Sequence, residues 1–216
     1  TIKNDLKEVW QALYAPDKRV VAQIAPAVRV AIGEEFGLPA GKNSVGKIFT
    51  ALRMLGFDTV FDTSFSADLT VVEEANELVY KLENGEKKYP LGNSMPLFTS
   101  CCPAWVRLVE TKHPEILPYV STCKSPMEMF GAVLKEHYKP ADEEAGVETV
   151  SVAVMPCVAK KYEAAREEFK RDNVPDVDYV ITTKELILMI KELGIQFNEI
   201  EPSAPDMPFS ISSGAG

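Results

Sequence analysis

The chain has 216 residues, 46% of them hydrophobic and 25% charged, and carries a formal net charge of -9. That length and apolar content suffice for a buried core in one domain or in two closely packed lobes. The acidic excess excludes a basic face for nucleic acid or an anionic membrane, and no apolar run approaches the roughly 18 residues that a spanning helix needs.

Four cysteines are too sparse for a disulfide framework, so free thiols or metal ligands in a reducing compartment, the cytoplasm, are expected. The opening residues Thr1-Ile2-Lys3-Asn4-Asp5 lack the apolar core of a secretion signal, and a water-soluble protein is expected. Small molecules or basic protein patches are the partners such a surface fits.

Taken in order, Ile2 to Tyr14 puts Leu6, Val9, Trp10 and Leu13 at helical spacing, and Pro16-Asp17 ends that helix. Arg19 to Ile24 reads as a buried strand. Ala25-Pro26-Ala27 turns the chain into a helix over Val28 to Phe36, closed by Gly37. Ser44 can cap a helix from Val45 to Leu55 that stops at Gly56, and Phe57 to Phe61 follows as a strand. A long helix from Ser66 to Glu83 turns Leu69, Val72, Leu78 and Leu82 inward and leaves Glu73, Glu74, Glu77, Lys81 and Glu83 to its other faces. Tyr89 to Met95, rich in Pro, Gly, Asn and Ser, is a loop.

Pro96 to Ser100 reads as a strand running into Cys101-Cys102, with a helix behind it from Pro103 to Thr111. Ser125-Pro126 opens a helix from Met127 to Tyr138, and Lys139 to Glu148 is an acidic surface loop. Thr149 to Val154 is a strand leading to Met155-Pro156-Cys157, and a helix follows from Ala159 to Lys170. Asp178 to Ile181 is a short strand and Thr183 to Leu193 a helix closed by Gly194. After Phe197 the periodicity fades toward Ser213-Gly214-Ala215-Gly216. Strands alternating with helices imply an α/β fold: largely parallel sheets flanked by helices, with two lobes, about 1–122 and 123–216, around a cleft. Loops at the C-terminal ends of such strands gather on one side, so both cysteine segments would open on that cleft.

Adjacent cysteines rarely bridge each other without strain, so Cys101 and Cys102 have different work to do. Cys102 and Cys157 each precede a helix, where the dipole favours a thiolate, and can ligate an iron-sulfur cluster, which usually takes four thiolates. Bare composition favours two small buried hydrophobes, and the repeated strand-proline-cysteine-helix plan brings the ligand reading level with that one. Lys160, one helical turn after Cys157, can bind an anionic ligand or be a solvated lysine. Glu74 and Glu77, three apart on one helix face, can pass protons if burial raises their pKa, or can form a solvated acidic face. Cys123 has no matching elbow and suits packing. His113 and His137 show no metal-ligand spacing, and neither a phosphate-binding glycine loop nor a Ser-His-Asp order is present.

The stretches Thr99-Ser100-Cys101-Cys102-Pro103-Ala104-Trp105 and Met155-Pro156-Cys157-Val158-Ala159-Lys160-Lys161-Tyr162-Glu163 resemble the first two signature motifs of the iron-only (FeFe) hydrogenases, T-S-C-C-P-x-W and M-P-C-x-x-K-x-x-E. Both match fully and in order, and the resemblance covers essentially the whole chain. It implies the N-terminal portion of a catalytic domain built around the H-cluster. That cofactor is a 4Fe-4S cubane joined through a cysteine thiolate to a diiron unit with CO, cyanide and azadithiolate. By position, Cys102 and Cys157 would be cubane ligands, Cys101 the thiol exchanging protons with the azadithiolate amine, and Lys160 a hydrogen-bond donor to a cyanide. Glu74, Ser121 and Glu77 would carry protons from Cys101 to solvent. Ala25, Pro26, Ala27, Pro103, Met155 and Pro156 would line the diiron pocket.

The implied activity is the reversible interconversion of protons plus electrons and dihydrogen. The implied partners are ferredoxin or iron-sulfur and NADH-linked subunits as electron carriers, and maturation proteins that insert the diiron unit. The third motif, E-x-M-A-C-x-x-G-C, which would supply the other two cubane ligands, is absent from these residues. The chain by itself is therefore expected to be incomplete relative to the family's domain, with the cofactor absent or partial, and to evolve no hydrogen. Met127 stands where many members have glutamine. Two other readings remain: a hydrogenase-like iron-sulfur assembly factor, and a sensory protein that binds the cluster and signals. Relatives of the first kind generally lack the doubled cysteine and the lysine of the second motif, whereas this chain has Cys101 and Lys160.

Overall fold

Four apolar stretches, β1 (Lys18–Ile24), β2 (Thr59–Asp62), β3 (Glu148–Met155) and β6 (Tyr179–Thr182), pair in parallel in the order β2-β1-β3-β6. The structure is a computed structural model and describes residues 3–84 and 96–210. β3 is buried along all but its first residue, as expected of a central parallel strand covered on both faces. The register sets Ile24 level with Val154 and Asp62, and Met155 level with Thr182, so all four strands end at one rim of the sheet. β1 and β3 come from either side of residue 122 and pair along seven positions, so one sheet runs across that boundary.

One face of the sheet shares a continuous core with α1 (Leu6–Tyr14), α3 (Val45–Leu55) and α9 (Thr183–Glu192), through Val9, Ile48, Leu52, Leu186 and Ile190 among others. On a second cluster, Val21 and Phe61 of the strands meet Phe130 and Leu134 of α6 (Pro126–His137), with Phe65 of α4 (Ser64–Asn84) packed against them. α9 begins with a closed capping box, Thr182 accepting from the Glu185 amide at 3.2 Å while the Glu185 carboxylate accepts from the Thr182 amide at 2.7 Å.

Several boundaries differ from the sequence expectation. The helix over Val28 to Phe36 is α2 (Val28–Ala31) followed by a 3-10 turn, Gly33–Phe36, that ends on Gly37 at φ +77°. Asn43, not Ser44, accepts from the first amide of α3. Pro96 to Ser100 forms no sheet strand. Phe98 makes an isolated bridge to Val120 through two backbone bonds, Phe98 N to Tyr119 O and Ser121 N to Phe98 O. The acidic segment after Tyr138 contains a short helix, α7 (Lys139–Glu144), because Asp142 is anchored by Arg19 and Thr149. α8 (Ala159–Ala164) stops early and leads through a 3-10 turn, Glu167–Phe169, to a two-residue hairpin, β4 (Lys170–Arg171) and β5 (Val174–Pro175). Asp172 and Asn173 make that hairpin's turn at positive φ, a conformation those residue types tolerate. The loop expected over Tyr89 to Met95 and the stretch Ser213 to Gly216 lie outside the described residues.

α4 keeps Glu73 and Glu83 exposed and Leu69 and Leu78 partly buried, as expected, but reverses the expectation at four positions. Val72 and Leu82 are 54% and 65% exposed, while Glu77 and Lys81 are 6% and 5% exposed. The two buried charges are four residues apart and 3.3 Å from each other, so each compensates the other. None of the described helices is long and apolar enough to cross a membrane.

Candidate functional site

The rim where the strands end carries both cysteine segments. Cys102 is the N-cap of α5 (Pro103–Lys112), with extended backbone and Pro103 at the first helical position, where a missing N–H costs nothing. Cys157 follows Met155-Pro156 at the end of β3, two residues before α8. The thiols of Cys101, Cys102 and Cys157 are all free and exposed.

The Lys160 amine joins the two segments: it donates to the Cys101 carbonyl oxygen at 2.8 Å and pairs with Glu163 Oε2 at 2.7 Å. Arg166, beyond α8, and Glu110 of α5 form a second bridge between the same elements. The Ala25 amide donates to Val154 O at 3.0 Å, which brings Ala25-Pro26-Ala27 beside Met155-Pro156. Ala25, Pro103 and Met155 are buried, and Pro26, Ala27 and Pro156 are exposed. Met127 is buried, and its carbonyl accepts from the buried Gln23 amide at 3.0 Å.

Glu74, Ser121 and Glu77 also come together. The buried Ser121 hydroxyl donates to Glu77 Oε2 at 2.6 Å, and the Thr122 amide lies 3.3 Å from the same oxygen. Lys81 Nζ is 3.3 Å from Glu77 Oε1. Burial pushes the Glu74 carboxyl above its ordinary value; the Ser100 backbone pulls it back, the Glu77 charge adds to the rise, and the Ser121 hydroxyl also opposes it. Glu74 thus stands between Ser121 and the residue preceding Cys101.

Cys123, read from sequence as packing, touches this group. Its amide donates to Ser121 Oγ at 3.1 Å and its thiol lies 3.8 Å from Glu77 Oε2. Burial pushes the Cys123 thiol up, so it stays protonated. It lines a cavity of about 440 Å³ with Ser100, Ser121, Ser125, Glu163 and Phe169. Glu163, the last residue of the second motif, is buried, and so is Glu128, which the sequence reading passed over. The signal for Glu128 was Ser125-Pro126-Met127-Glu128, a capping-box spacing at the head of α6. His113 pairs with Glu115 and His137 sits edge-on to Phe209.

Among the described residues no group of three or more His, Cys, Asp and Glu side chains is arranged to hold a metal ion. The donors on the rim are two unpaired thiols, Cys102 and Cys157, flanked by a lysine. Two such thiols could make up half of the four thiolates that an iron-sulfur cluster usually takes.

The family described as iron only hydrogenase large subunit, C-terminal domain, matches residues 18–216. The chain belongs to this family. Iron hydrogenase 1 of Clostridium pasteurianum is 44% identical over 214 residues, covering 99% of this chain and 36% of that protein. The periplasmic Fe hydrogenase large subunit of Nitratidesulfovibrio vulgaris is 42% identical over 207 residues, 96% of this chain and 48% of that protein. A cytosolic Fe-S cluster assembly factor of Danio rerio is 32% identical over 209 residues, 95% of this chain and 50% of the relative. An FeFe-hydrogenase structure, solved in a study of oxygen inactivation through its H cluster, superposes with a TM-score of 0.86 at 39% identity, covering 99% of this chain and 53% of that one. An apo FeFe-hydrogenase variant from Chlamydomonas reinhardtii gives 0.83 at 40% identity, with the same coverage. This hydrogenase-family chain spans about half, or less, of the length of these relatives.

Proposed function

We propose that this chain is part of an FeFe-hydrogenase catalytic domain and supplies two thiolates, an anion-binding amine and the proton route of an H-cluster site. The parent protein would interconvert protons plus electrons and dihydrogen, the electron chemistry being the cofactor's when bound. Cys102 and Cys157 would hold the cubane, and Ala25, Pro26, Ala27, Pro103, Met155 and Pro156 would wall the diiron unit. The observation that carries this reading is the Lys160 amine on the Cys101 carbonyl, which gathers the two cysteine segments at one rim beside a cationic head.

Within this reading the protein's own work is to hold thiols, exclude water and move protons. Cys101 would exchange a proton with the half-buried Glu74 carboxyl, whose raised pKa suits a group that is protonated part of the time. Ser121, which lies against Glu74 and donates to Glu77, would pass it on. Lys160 would hydrogen-bond a cyanide ligand. Dihydrogen and protons are the proposed substrates, and ferredoxin-like or NADH-linked iron-sulfur partners the electron carriers. Maturation proteins would insert the diiron unit, in a cytoplasmic setting.

The iron-sulfur assembly reading draws on the 32% identity to the Danio rerio factor. The 42% and 44% identities to hydrogenases, together with Cys101 and Lys160, favour catalysis. The test is anaerobic reconstitution followed by gas chromatography. The parent is expected to evolve hydrogen, its Cys102→Ser and Cys157→Ser variants to lose both iron and turnover, and the 216 residues alone to evolve none. A parent that binds iron yet makes no hydrogen supports the assembly reading instead.

A further inference from the structure

The head of α6 has the residues of a capping box and does not form one. Ser125 is the N-cap and Glu128 the third helical residue, the spacing at which serine and glutamate satisfy each other's backbone amides. In this protein the Ser125 hydroxyl makes no cap bond, and neither oxygen of Glu128 has any hydrogen-bond partner. Ser125 is 1% exposed and Glu128 is 0% exposed. The same motif at Thr182 and Glu185 of α9 closes fully, so the open box at α6 is a property of its surroundings.

Those surroundings are charged. Glu163 and Asp176 face Glu128 as anions, and Lys160 and Lys124 as cations. Each lysine already has its own acid: Lys160 pairs with Glu163, and Lys124 with Asp176. Glu128 is the unmatched carboxyl of the group. An ionised carboxylate there would be buried without a hydrogen bond and without a free countercharge, so the neutral acid wins. Burial first, then the Glu163 and Asp176 charges, push its pKa up to about 8 against the opposing pull of Lys160 and Lys124.

We propose that Glu128 is a proton-binding site that controls Lys160: as the neutral acid it leaves the Lys160 amine on the Cys101 carbonyl oxygen, and as the carboxylate it draws that amine away. On ionisation the proton leaves to water, and the new charge must be met by one of the two cations that face it. Lys124 is held by the Asp176 carboxylate and lies over the Phe169 ring. Lys160 divides its hydrogens between the Glu163 carboxylate and a neutral carbonyl, and the carbonyl bond is the weaker one. The bond given up is therefore the one joining the two cysteine segments. The consequence for catalysis rests on the hydrogenase reading, but the experiment does not.

The sign of the linkage is set by a folded-state pKa above the ordinary 4.5. Between about 4.5 and about 8 the unfolded chain releases this proton and the folded protein keeps it, so stability falls as pH rises and levels off above about 8. Thermal unfolding of the wild type and Glu128→Gln across this range, with infrared spectra of the protonated-carboxyl band, reads the site directly. Hydrogen exchange at the Val106 amide, which donates to the Cys102 carbonyl, reads the segment that the Lys160 bond ties down. The variant is expected to lose the infrared band seen near about pH 7 and to flatten the stability slope. Exchange in that segment is expected to rise severalfold, beyond the intrinsic pH trend, as the wild type passes about pH 8, and not to do so in the variant.

An unchanged band and slope in Glu128→Gln would overturn the proton site. Equal exchange profiles would overturn the control of Lys160. If the variant fails to fold, the wild-type spectrum decides, because absence of a buried protonated carboxyl near about pH 7 overturns the proposal. None of these readouts needs iron or turnover, so failure of the hydrogenase reading would be seen separately.

Discussion

The Ser121 hydroxyl donates to Glu77 Oε2 at 2.6 Å across 44 positions of sequence, inside a pocket from which water is largely excluded. Glu77 keeps contacts with Thr122 and Lys81 when this donor is lost, so Ser121→Ala removes a link of the proton route without stranding a charge. In the parent hydrogenase, turnover is expected to fall about 100-fold, the scale of a positioned proton-transfer group, with little change in melting temperature. Hydrogen evolution by gas chromatography alongside thermal melting checks this, and an unaltered rate removes Ser121 from the route.

Glu74 gives a pH dependence of defined sign. Its pKa lies above the ordinary 4.5 because burial disfavours the carboxylate. The folded state therefore holds the proton longer than the unfolded one, and this contribution to stability declines as pH rises above 4.5. Glu74→Gln should flatten that decline in urea titrations run at a series of pH values. A slope identical to wild type would mean that Glu74 is ionised in the fold.

Cys101→Ala is expected to nearly abolish hydrogen turnover in the parent while leaving iron content intact. Lys160→Met acts differently. It cuts the tie to the Cys101 carbonyl and leaves the buried Glu163 carboxylate without its cation. Iron retention and stability should both drop, the latter by about 3 kcal/mol. Iron analysis and urea unfolding of the two variants separate a proton carrier from a residue that holds the site together.

Lys161, next in sequence, is a structural counterpart. Its amine is buried against the Val180 carbonyl at 2.7 Å and Glu185 at 3.0 Å, with Asp5 at 3.7 Å. Lys161→Met removes the cation that Asp5 and Glu185 share, leaving Asp5 with Lys3 and Glu185 with the Thr182 amide, and should cost about 1–3 kcal/mol in urea unfolding. A loss under about 1 kcal/mol would mean that Asp5 and Glu185 take up protons or solvent instead.

Gly131 allows α6 to lie against the backbone of Asp176. A Cβ at this position would meet Asp176 O at 2.5 Å and Val177 Cγ2 at 2.8 Å. Gly131→Ala should destabilise by about 1–3 kcal/mol, as overpacking does, despite alanine's better helix propensity. Denaturant unfolding tests it, and a stabilised variant would show that the two backbones can part freely.

The parallel sheet and the turn from each cysteine segment into its helix were legible in the amino-acid sequence, because each is written in neighbouring residues. Short, β-branched runs such as Thr149 to Val154 suit buried strands, and Cys102-Pro103 and Met155-Pro156-Cys157 carry their turn chemistry with them. The tertiary structure decided which charges are inside. Glu77 and Lys81 sit on the helix face that hydropathy assigned to solvent, because Ser121 and their mutual attraction satisfy them there. The strand expected at Pro96 to Ser100 became a single bridge to Val120, a partner its own sequence does not name. Glu128 matches a capping motif locally, yet its protonation depends on Lys160, Glu163, Lys124 and Asp176, contributed by separate stretches of chain. Backbone conformation is set mostly by near neighbours, whereas the cost of a buried charge is set by whatever the fold brings within a few ångströms of it.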